Sequence, residues 1–361
     1  MKSEARALFD WLLTPRQALE WQPQEWERAL RILRANDMLA TFAGLFEPGD
    51  LEQLSEYARR HLHSAVTYYQ RQKHQVHHEV ELLHELMAGA GCHPVFLKGA
   101  GYVLAEDSNH RGRLMSDIDV MVDKSELRRA ELALLNSGWK AKEVTDYDDR
   151  YYRQWSHELP PFVHPERGTT LDLHHTVLPP ITGRRIETVT LFDNTVQTDS
   201  GYTIFNLKFR LLHCIIHLFF NEDYEKACRD VWDIHCLAEQ FSQPELMEFI
   251  ALSQQLGFGT EVCFALRLRQ YLLGTEYCDQ ASETLNRQLR GREWMVKRVI
   301  APAVMPTHPL VDTFGTRIAK SLMYLRGHWV KMPLRILLPH AATKSYRALV
   351  SSVMGKYHYE S

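Results

Sequence analysis

The chain has 361 residues, of which 45% are hydrophobic and 24% are charged, and these proportions are ordinary for a globular protein with a sizeable buried core. Its formal net charge of −3 at pH 7 argues against a long nucleic acid as partner, because binding to a phosphate backbone depends on clustered positive charge. The sequence contains no run of about 20 apolar residues, so no transmembrane segment is predicted.

The cysteines and the first residues indicate a cellular compartment. The chain begins with charged residues and no long apolar run, so no signal peptide is predicted. The six cysteines form no Cys-x-x-Cys pair, and most lie in apolar surroundings of helical spacing. We therefore expect buried free thiols in a reducing compartment, and a cytoplasmic protein.

Residues 1–90 have the spacing of helices. Apolar residues recur every three or four positions, as at Leu8 and Leu12. A long helical stretch follows through residues 51–86. It is expected to end at the glycine-containing segment 89–91, because glycine favours the C-terminal cap of a helix.

The spacing changes after residue 90. Short or alternating apolar runs predict strands at 95–97, 116–122 and 169–174, and amphipathic spacing predicts a helix at 124–136. Helical spacing returns at Leu207. We therefore predict an α+β fold with four regions: an N-terminal helical region (1–90), a small mixed β-sheet core (91–205), a C-terminal helical region (206–300) and a basic amphipathic segment (301–361).

The last region mixes basic residues with apolar and aromatic ones between Arg317 and Arg347. The preferred interpretation is an amphipathic helix that docks on the core of its own protein. The alternative is weak contact with an anionic membrane surface or another polyanion.

Two carboxylates lie two residues apart in the predicted strand 116–122. Asp117 and Asp119 therefore share one face of that strand, while Ile118 points to the other face. Adjacent carboxylates repel and raise each other's pKa unless a cation lies between them. Mg²⁺ binds one or two carboxylates together with phosphate oxygens, and Mn²⁺ is the alternative ion. A solvated strand face is the competing interpretation of this Asp pair when it is taken alone.

A third carboxylate on a neighbouring strand would complete a metal site. Asp172, in the predicted strand 169–174, is the natural candidate. Two ions about 4 Å apart can then hold the attacking and the leaving oxygen of a phosphoryl displacement. Because the three carboxylates repel without a cation, we expect metal-free Asp117→Asn and Asp119→Asn variants to be no less stable than the parent chain.

A glycine-containing turn lies upstream of the Asp pair. The predicted strand 95–97 is followed by Lys98, Gly99, Ala100 and Gly101, where a new helix is expected to begin. The bare backbone at a helix start presents free N–H groups, and these attract phosphate. Such junctions are also common in proteins that bind no phosphate.

Taken together, these motifs resemble a known family. Phe-Leu-Lys-Gly-Ala at 96–100, Arg113, Asp-Ile-Asp at 117–119 and Leu-Asp-Leu-His at 171–174 resemble the uncharacterised nucleotidyltransferase family of bacteria, which belongs to the polymerase-β-like superfamily. That family has an apolar residue before a Gly-Gly or Gly-Ser pair, a spacer, an Asp-apolar-Asp/Glu motif and a carboxylate on a later strand. The resemblance covers about residues 91–175.

The resemblance implies a set of site residues. It makes Asp117, Asp119 and Asp172 the catalytic and metal-binding residues. It also implies that Gly99 and Ala100 hold the triphosphate. Two features depart from the pattern: alanine stands at position 100 where the wider superfamily often has serine, and the spacer before Asp117 is longer than usual.

Three further residues are candidate nucleotide contacts. Lys98 and Arg113 could neutralise phosphate charge in the transition state, and Arg113 matches a basic residue that the family often has before its Asp pair. His174 could orient the third carboxylate or contact the nucleotide. The competing interpretations are local ion pairs for the two cations and a structural role for the histidine.

The helical region beyond residue 206 contains one more possible site. His213 and His217 are four residues apart and share a helix face, so with Asp230 or Asp233 they could ligate a transition metal. This would describe a metal phosphohydrolase. Core histidines are the preferred interpretation, and the two aspartates are then candidates for contacts to the acceptor.

The predicted function is an Mg²⁺-dependent nucleotidyltransferase. It moves a nucleoside monophosphate from a nucleoside triphosphate to an acceptor and releases pyrophosphate. A small molecule, a sugar, a peptide or a protein is compatible with the sequence as acceptor. The alternative function, favoured by Ala100 and the long spacer, is a weakly active or inactive module that binds nucleotide or a partner protein.

Overall fold

The computed structural model describes residues 6–47 and 49–331. Most of this length is helical, and seven strands form one mixed sheet. In chain order the α-helices are α1 (Ala7–Leu13), α2 (Pro23–Ala35), α3 (Leu39–Ala43), α4 (Glu56–Gly89), α5 (Lys98–Leu104), α6 (Leu127–Asn136), α7 (Asp146–Trp155), α8 (Thr188–Asp193), α9 (Leu207–Phe220), α10 (Ala227–Ala238), α11 (Gln243–Gln255), α12 (Gly259–Leu273), α13 (Asp279–Gln288), α14 (Glu293–Met295), α15 (Ala301–Ala303) and α16 (Phe314–Lys331). Short 3-10 helices span Pro15–Glu20, Leu51–Gln53, Ser108–His110 and Pro180–Thr182, and a π-helical turn spans Val296–Ile300.

The sheet has a strand order that brings the predicted site to its centre. Its strands are β1 (Val95–Phe96), β2 (Ile118–Met121), β3 (Lys140–Ala141), β4 (Phe162–Val163), β5 (Thr170–His174), β6 (Thr195–Gln197) and β7 (Thr203–Phe205). The order across the sheet is β3-β4-β5-β2-β1-β7-β6. Strand β2 runs antiparallel to β1 and parallel to β5, so it lies between the two strands that were predicted with it.

The three strands predicted around the motifs are neighbours in the sheet. The predicted strand 116–122 is shorter in the structure, because β2 begins at Ile118 and leaves Asp117 in the preceding loop. In the parallel register of β2 and β5, Asp119 is paired with Asp172. The predicted α+β fold with a small mixed sheet is confirmed.

The long helix α4 begins at Glu56, five residues after the predicted start at residue 51, and ends in the glycine-containing segment as predicted. The Ser55 side chain accepts a hydrogen bond from the Ala58 N–H at its N-terminus, which satisfies one of the unpaired donors of the first turn. The helix ends at Gly89, and Gly91 follows with a φ of 68°. Glycine adopts this left-handed conformation without the strain that a side chain would cause.

One face of the sheet packs on α4 and α6 through apolar side chains. Ile118 and Val120 of β2 and Leu171 and Leu173 of β5 belong to this smaller core, and each is at most 3% exposed. Because side chains alternate along a strand, Asp119 and Asp172 lie on the opposite face. That face is covered by α9 and α10, whose side chains line the same cavities as the two aspartates.

A larger apolar core joins residues from all four predicted regions of the chain. It includes Leu12, Leu97, Leu212 and Met323. Helices from the two ends of the described chain therefore contribute to one core. The boundaries at residues 90, 205 and 300 stay a prediction.

Helix α16 docks on this larger core by one face. Thr316, Ala319, Met323 and Gly327 are its buried residues. Docking of the basic amphipathic segment on the protein's own core therefore holds for its first part, whereas residues 332–347 lie outside the described range. Within the part of the chain that the structure describes, no helix combines the length and the apolar character needed to cross a membrane.

Candidate active site

The centre of the site is a group of polar side chains on adjacent strands β2 and β5. Asp119, Asp172 and His174 each offer one ligand atom, and these atoms all lie within 4.8 Å of one another. Their proximity follows from the register, since Asp119 is directly opposite Asp172 and His174 lies two residues further on the same face. The structure thus brings together two of the three predicted carboxylates.

Lys98 supplies the positive charge that this group needs. Its Nζ lies 2.7 Å from Oδ1 of Asp119. The backbone of Lys98 has a φ of 41°, which is rare for a residue with a side chain. This strained conformation lies at the junction of β1 and α5, in contact with a candidate catalytic group, where such strain is typically found.

Asp119 is buried at 3% exposure and stays ionised. Burial acts against its charged form, but the Lys98 ammonium and the hydrogen bond from His174 outweigh that effect and hold the pKa of Asp119 well below its ordinary value. The His174 Nε2 lies 2.9 Å from Oδ1 of Asp119. Because Lys98 already neutralises this carboxylate, the structure leads to the opposite prediction from the sequence, namely that an Asp119→Asn variant is less stable than the parent.

Asp172 has the opposite electrostatic environment. Burial, followed by the negative charges of Glu158 and Asp119, raises the pKa of Asp172 to about 7. Its Oδ1 atom is buried and has no hydrogen-bond partner. The sequence-based argument that neighbouring carboxylates repel thus holds for Asp172, although it fails for Asp119.

Glu158 is a member of the site that the sequence analysis missed. Its Oε2 lies 3.5 Å from Nε2 of His174, and Glu158, His157 and His174 form a second group whose ligand atoms lie within 4.8 Å of one another. Burial acts against the charged form of His174, but Asp119 and Glu158 outweigh it and raise its pKa. Glu158 lies between α7 and β4, where no periodic pattern could have selected it.

Asp117 lies at the entrance of the site rather than in the central group. It precedes β2, is half-buried, and accepts a hydrogen bond from the Ser116 hydroxyl at 3.1 Å. Asp117 lines the same two cavities as Lys98. It is therefore more accessible than Asp119, which is buried.

The glycine turn is more enclosed than the sequence suggests. A Cβ atom added to Gly99 would lie 2.3 Å from Sδ of Met115 and 2.8 Å from Nη1 of Arg113. Ala100 is 1% exposed and belongs to the smaller apolar core, so its side chain lies away from the cavities. A Cβ on Gly101 would lie 2.9 Å from the carbonyl oxygen of Phe96, so this glycine permits close packing of α5 on β1.

The long spacer before Asp117 has a structural role. It carries Arg113 and Met115 back across Gly99, and Gln72 of α4 holds the backbone of Met115 by two hydrogen bonds, of 2.6 and 2.9 Å. The spacer therefore places the cationic side chain of Arg113 beside the turn at Gly99. Its unusual length does not separate the turn from the Asp pair.

Arg113 is buried and paired with an aspartate from the helical region. Its Nε lies 2.8 Å from Oδ2 of Asp233 on α10, and Asn109 donates to Oδ1 of the same carboxylate at 3.0 Å. The Arg113 guanidinium also lies over the ring of Tyr102, 5.3 Å from its centroid. Burial raises the pKa of Asp233 even though Arg113 opposes that rise.

The Arg113–Asp233 pair leads to a stability prediction. Arg113→Met leaves a buried carboxylate without its cation, so we expect the free energy of unfolding to fall by about 3–5 kcal/mol. The double variant Arg113→Met/Asp233→Asn removes both charges and should recover most of this loss. Urea unfolding of the parent, both single variants and the double variant measures the coupling. Additive losses in the double variant would show that the pair is not a unit.

The histidines of α9 do not form the metal site considered as a rival. His217 Nδ1 lies 3.1 Å from Oδ2 of Asp230, and His213 is 6% exposed with a pKa lowered well below its ordinary value, chiefly by burial. Among the described residues, the groups with metal-ligand geometry include neither His213 nor His217. The structure therefore gives no support to a metal phosphohydrolase centred on α9.

Two cavities meet at Lys98, Asp117 and His217. The first, which we call the Arg113 cavity, has a volume of about 100 Å³ and contains Gly99, Asp119 and Arg229. The second, which we call the Glu158 cavity, has about 330 Å³ and contains Asp172, His213 and Lys331. The candidate carboxylates therefore lie where the Arg113 cavity, which is small and lined by several cations, meets the larger Glu158 cavity, which is lined by charged, polar and apolar residues.

Comparison with known proteins gives one match. A family model described as uncharacterised nucleotidyltransferase matches residues 22–274, which is more than half of the chain and includes every residue of the central group. Neither the curated proteins nor the solved structures contain a match.

Proposed function

The chain belongs to the uncharacterised nucleotidyltransferase family, and on this premise we propose that it transfers a nucleoside monophosphate from a nucleoside triphosphate to an acceptor. An acceptor oxygen attacks the α-phosphorus, the bond from that phosphorus to the bridging oxygen breaks, and pyrophosphate leaves. The acceptor loses one proton. Membership in the polymerase-β-like superfamily and a bacterial origin form part of the same proposal.

The observation that carries the proposal is the pairing of Asp119 with Asp172 beside Lys98. Two carboxylates from adjacent strands and one lysine ammonium group are suited to hold a metal ion against a triphosphate. Family membership makes the protein a transferase of phosphorus-containing groups. Family membership indicates the type of reaction, and the geometry of the site supports the choice of residues that would carry it out.

The donor atoms suit a hard divalent cation. The unpartnered Oδ1 of Asp172 and its raised pKa identify a carboxylate whose charge is not yet balanced. Asp117, Asp119 and Asp172 would hold Mg²⁺, and the nitrogen of His174 makes Mn²⁺ an acceptable substitute. When bound, the ion supplies charge neutralisation for the phosphate oxygens.

The protein's own residues have separate tasks in this scheme. Lys98 and Arg113 neutralise negative charge on the triphosphate, Lys98 by moving from Asp119 to a phosphate oxygen. Gly99 leaves room for that approach, because it has no side chain. Asp172, which lines the Glu158 cavity and has an unpartnered Oδ1, can take up the acceptor proton.

The two cavities suggest where each substrate binds. The Arg113 cavity contains Arg113 and Arg229 together with Gly99, so we assign it to the triphosphate. The Glu158 cavity contains Asp172, so we assign it to the acceptor. The Arg113 cavity is small, at about 100 Å³, so we propose that Arg113 separates from Asp233 when the triphosphate binds.

The alternative function is a catalytically weak or inactive module that binds nucleotide or a partner protein. The bond between Arg113 and Asp233, which engages one cation of the Arg113 cavity, is compatible with such a module. The two functions differ in one measurable property, which is transfer of the α-phosphate.

The position of a radioactive label in the nucleoside triphosphate tests the proposal directly. Each nucleoside triphosphate, labelled with ³²P at the α- or the γ-position, is incubated with Mg²⁺ or Mn²⁺, the protein and a cell extract as acceptor source. We expect acceptor-bound label from the α-position only, and γ-label in pyrophosphate. Asp199→Asn, the same substitution at an exposed position between β6 and β7, serves as a comparison for Asp172→Asn. Binding of nucleotide without any transferred label, across all four bases, would select the module instead.

The state of the cysteines supports a proposal about the cellular compartment of the protein. All six cysteines are free, and five of them are buried. Free buried thiols are usual in a reducing compartment, so we propose a cytoplasmic location.

A further inference from the structure

A second group of possible metal ligands lies beside the central group of the site. It consists of His157, Glu158 and His174, whose ligand atoms all lie within 4.8 Å of one another. The group shares His174 with Asp119 and Asp172, but it contains neither of these carboxylates. His157 and Glu158 line the Glu158 cavity and have no role in the proposed transfer reaction. This second group therefore calls for an explanation of its own.

Backbone hydrogen bonds hold the segment that carries His157 and Glu158 against β5. The N–H of Leu159 donates to the carbonyl oxygen of Leu173 at 3.0 Å, and the N–H of His175 donates to that of His157 at 2.9 Å. Glu158 lies between these two bonds and forms an isolated antiparallel bridge to the same strand. Because the backbone is fixed on both sides, little conformational freedom is lost when the side chains bind an ion.

The distances around Glu158 are those of metal ligands rather than of hydrogen bonds. Its Oε2 lies 3.5 Å from Nε2 of His157 and 3.5 Å from Nε2 of His174. A normal N–H···O hydrogen bond spans about 2.7–3.2 Å, so both contacts are too long to be good hydrogen bonds. Two ligand atoms bound to one tetrahedral Zn²⁺ at about 2.0–2.2 Å lie about 3.3–3.6 Å apart. Both contacts of Glu158 therefore match the edges of a tetrahedral zinc site.

The ligand types favour a transition metal over Mg²⁺. Two imidazole nitrogens and one carboxylate oxygen are a usual ligand set for Zn²⁺, whereas Mg²⁺ prefers oxygen atoms. Three protein ligands leave a fourth position open, as in zinc sites that bind water or a substrate. Since His157 and Glu158 line the Glu158 cavity, we expect the fourth position to face that cavity.

His174 connects this group to the carboxylates. Burial lowers the pKa of His174, but the hydrogen bond to Asp119 and the negative charge of Glu158 outweigh that effect and raise it. The same negative charges attract a divalent cation, which replaces the proton on Nε2 when it binds. Nε2 also lies 2.9 Å from Oδ1 of Asp119, so a metal ion on this atom ends the hydrogen bond between the two residues.

We propose that His157, Glu158 and His174 form a zinc site in the wall of the Glu158 cavity. The ion binds Nε2 of both histidines and Oε2 of Glu158, and its fourth position takes a water molecule from the cavity. Zn²⁺ in this site withdraws His174 from Asp119. The site is separate from the Mg²⁺ position at the carboxylates, and it needs no nucleotide to form.

A zinc titration of the full-length chain against a chromophoric chelator, with Mg²⁺ in excess and no nucleotide, tests the proposal. His157→Gln and Glu158→Gln each remove one ligand. Each should weaken zinc binding at least about tenfold, because even the loss of an outer-shell partner costs about 10–100-fold in metal affinity. His78→Gln, the same substitution at an exposed position of α4, is the matched control and should bind zinc as the parent does. With Co²⁺ as probe, the visible absorption of a tetrahedral site should appear in the parent and be lost in Glu158→Gln.

Asp172→Asn distinguishes the two groups, because Asp172 belongs only to the group that contains Asp119. This variant should lose less zinc affinity than Glu158→Gln. The opposite order would place the zinc ion at the carboxylates and overturn the proposal. Absence of zinc binding in the parent, or equal binding by the parent and Glu158→Gln, would overturn it as well. Glu158→Gln retains the shape of the side chain and decides the question even if His157→Gln does not fold.

None of these titrations contains a nucleotide or an acceptor. The result is therefore independent of whether the chain transfers a nucleoside monophosphate, and each proposal can fail without the other.

Discussion

The Asp172→Asn variant is expected to lose transfer activity by about 1000-fold and, in the absence of metal, to become more stable than the parent above pH 7. The activity loss follows from removing one carboxylate of the metal site, since about 4 kcal/mol of transition-state stabilisation corresponds to a factor of about 1000. The gain in stability has a separate cause, which is the raised pKa of this group.

The direction of the stability change follows from the two states of Asp172. Its pKa is about 7 in the folded chain and near 3.8 in the unfolded chain, so between these values only the folded chain holds the proton. The stability contributed by this proton is complete below about pH 4 and is lost as the pH rises through about 7. The asparagine variant does not titrate, so its advantage over the parent should grow by about 2–3 kcal/mol between pH 5 and pH 8.

Thermal and urea unfolding in the presence of a chelator, at pH 5 and pH 8, measures this difference. Asp199→Asn, in the exposed turn between β6 and β7, is the matched control and should keep both the activity and the pH profile of the parent. A variant at position 172 that retained more than about a tenth of the activity would contradict the catalytic role. If the stability of the variant depended on pH in the same way as that of the parent, the raised pKa of Asp172 would be contradicted.

Asp119→Asn is expected to lose activity to the same extent but to become less stable. Asp119 has a pKa well below its ordinary value, so its stabilising effect is complete at neutral pH and is lost only as the pH falls through that low value. The substitution leaves Lys98 and His174 without their carboxylate. Removing one partner of a buried pair costs about 3–5 kcal/mol.

The double variant Lys98→Met/Asp119→Asn distinguishes the charge effect from a general packing defect. It removes both members of the pair and should recover most of the stability while remaining inactive. Unfolding by urea at pH 7 gives the free energies, and the labelled nucleotide assay gives the activity. If Asp119→Asn proved as stable as the parent, the ion pair between Lys98 and Asp119 would not be the dominant contact of this carboxylate.

The opposite signs expected at positions 119 and 172 show how one site can contain two kinds of carboxylate. Asp119 is neutralised by the chain itself, and Asp172 is not. Addition of Mg²⁺ and nucleotide should therefore stabilise the parent, because ligand binds only the folded state and relieves the remaining repulsion around Asp172. Before any ligand binds, the charge of Asp119 is therefore already balanced, whereas the charge of Asp172 is not.

Much of the fold was predictable because it depends on local spacing. The strand pattern at Ile118 and Val120, the helix end near Gly89 and the strand at Asp172 each follow from alternation, capping or period within a few residues. The motif spacing also located the catalytic candidates, since Asp119 and Asp172 are each flanked by apolar residues that pack on the opposite face. These features require no knowledge of distant contacts.

The remaining features depend on residues that are far apart in the sequence. Asp233 reaches Arg113 across 120 positions, and Glu158 reaches His174 from a segment without periodic pattern. The two carboxylates Asp119 and Asp172 look equivalent in the sequence. Their pKa values differ because Lys98 and His174 contact Asp119, whereas Asp172 is buried beside the negative charge of Glu158.

By itself, the sequence determined the fold class, the family and the candidate carboxylates Asp119 and Asp172, because each of these is encoded in short motifs and in periodic burial. The tertiary structure decided which carboxylate is neutralised, which cation is held by Asp233 and where two cavities meet. Charge is long-ranged inside a protein, and its effect depends on burial and on partners from distant segments. No local pattern contains that information.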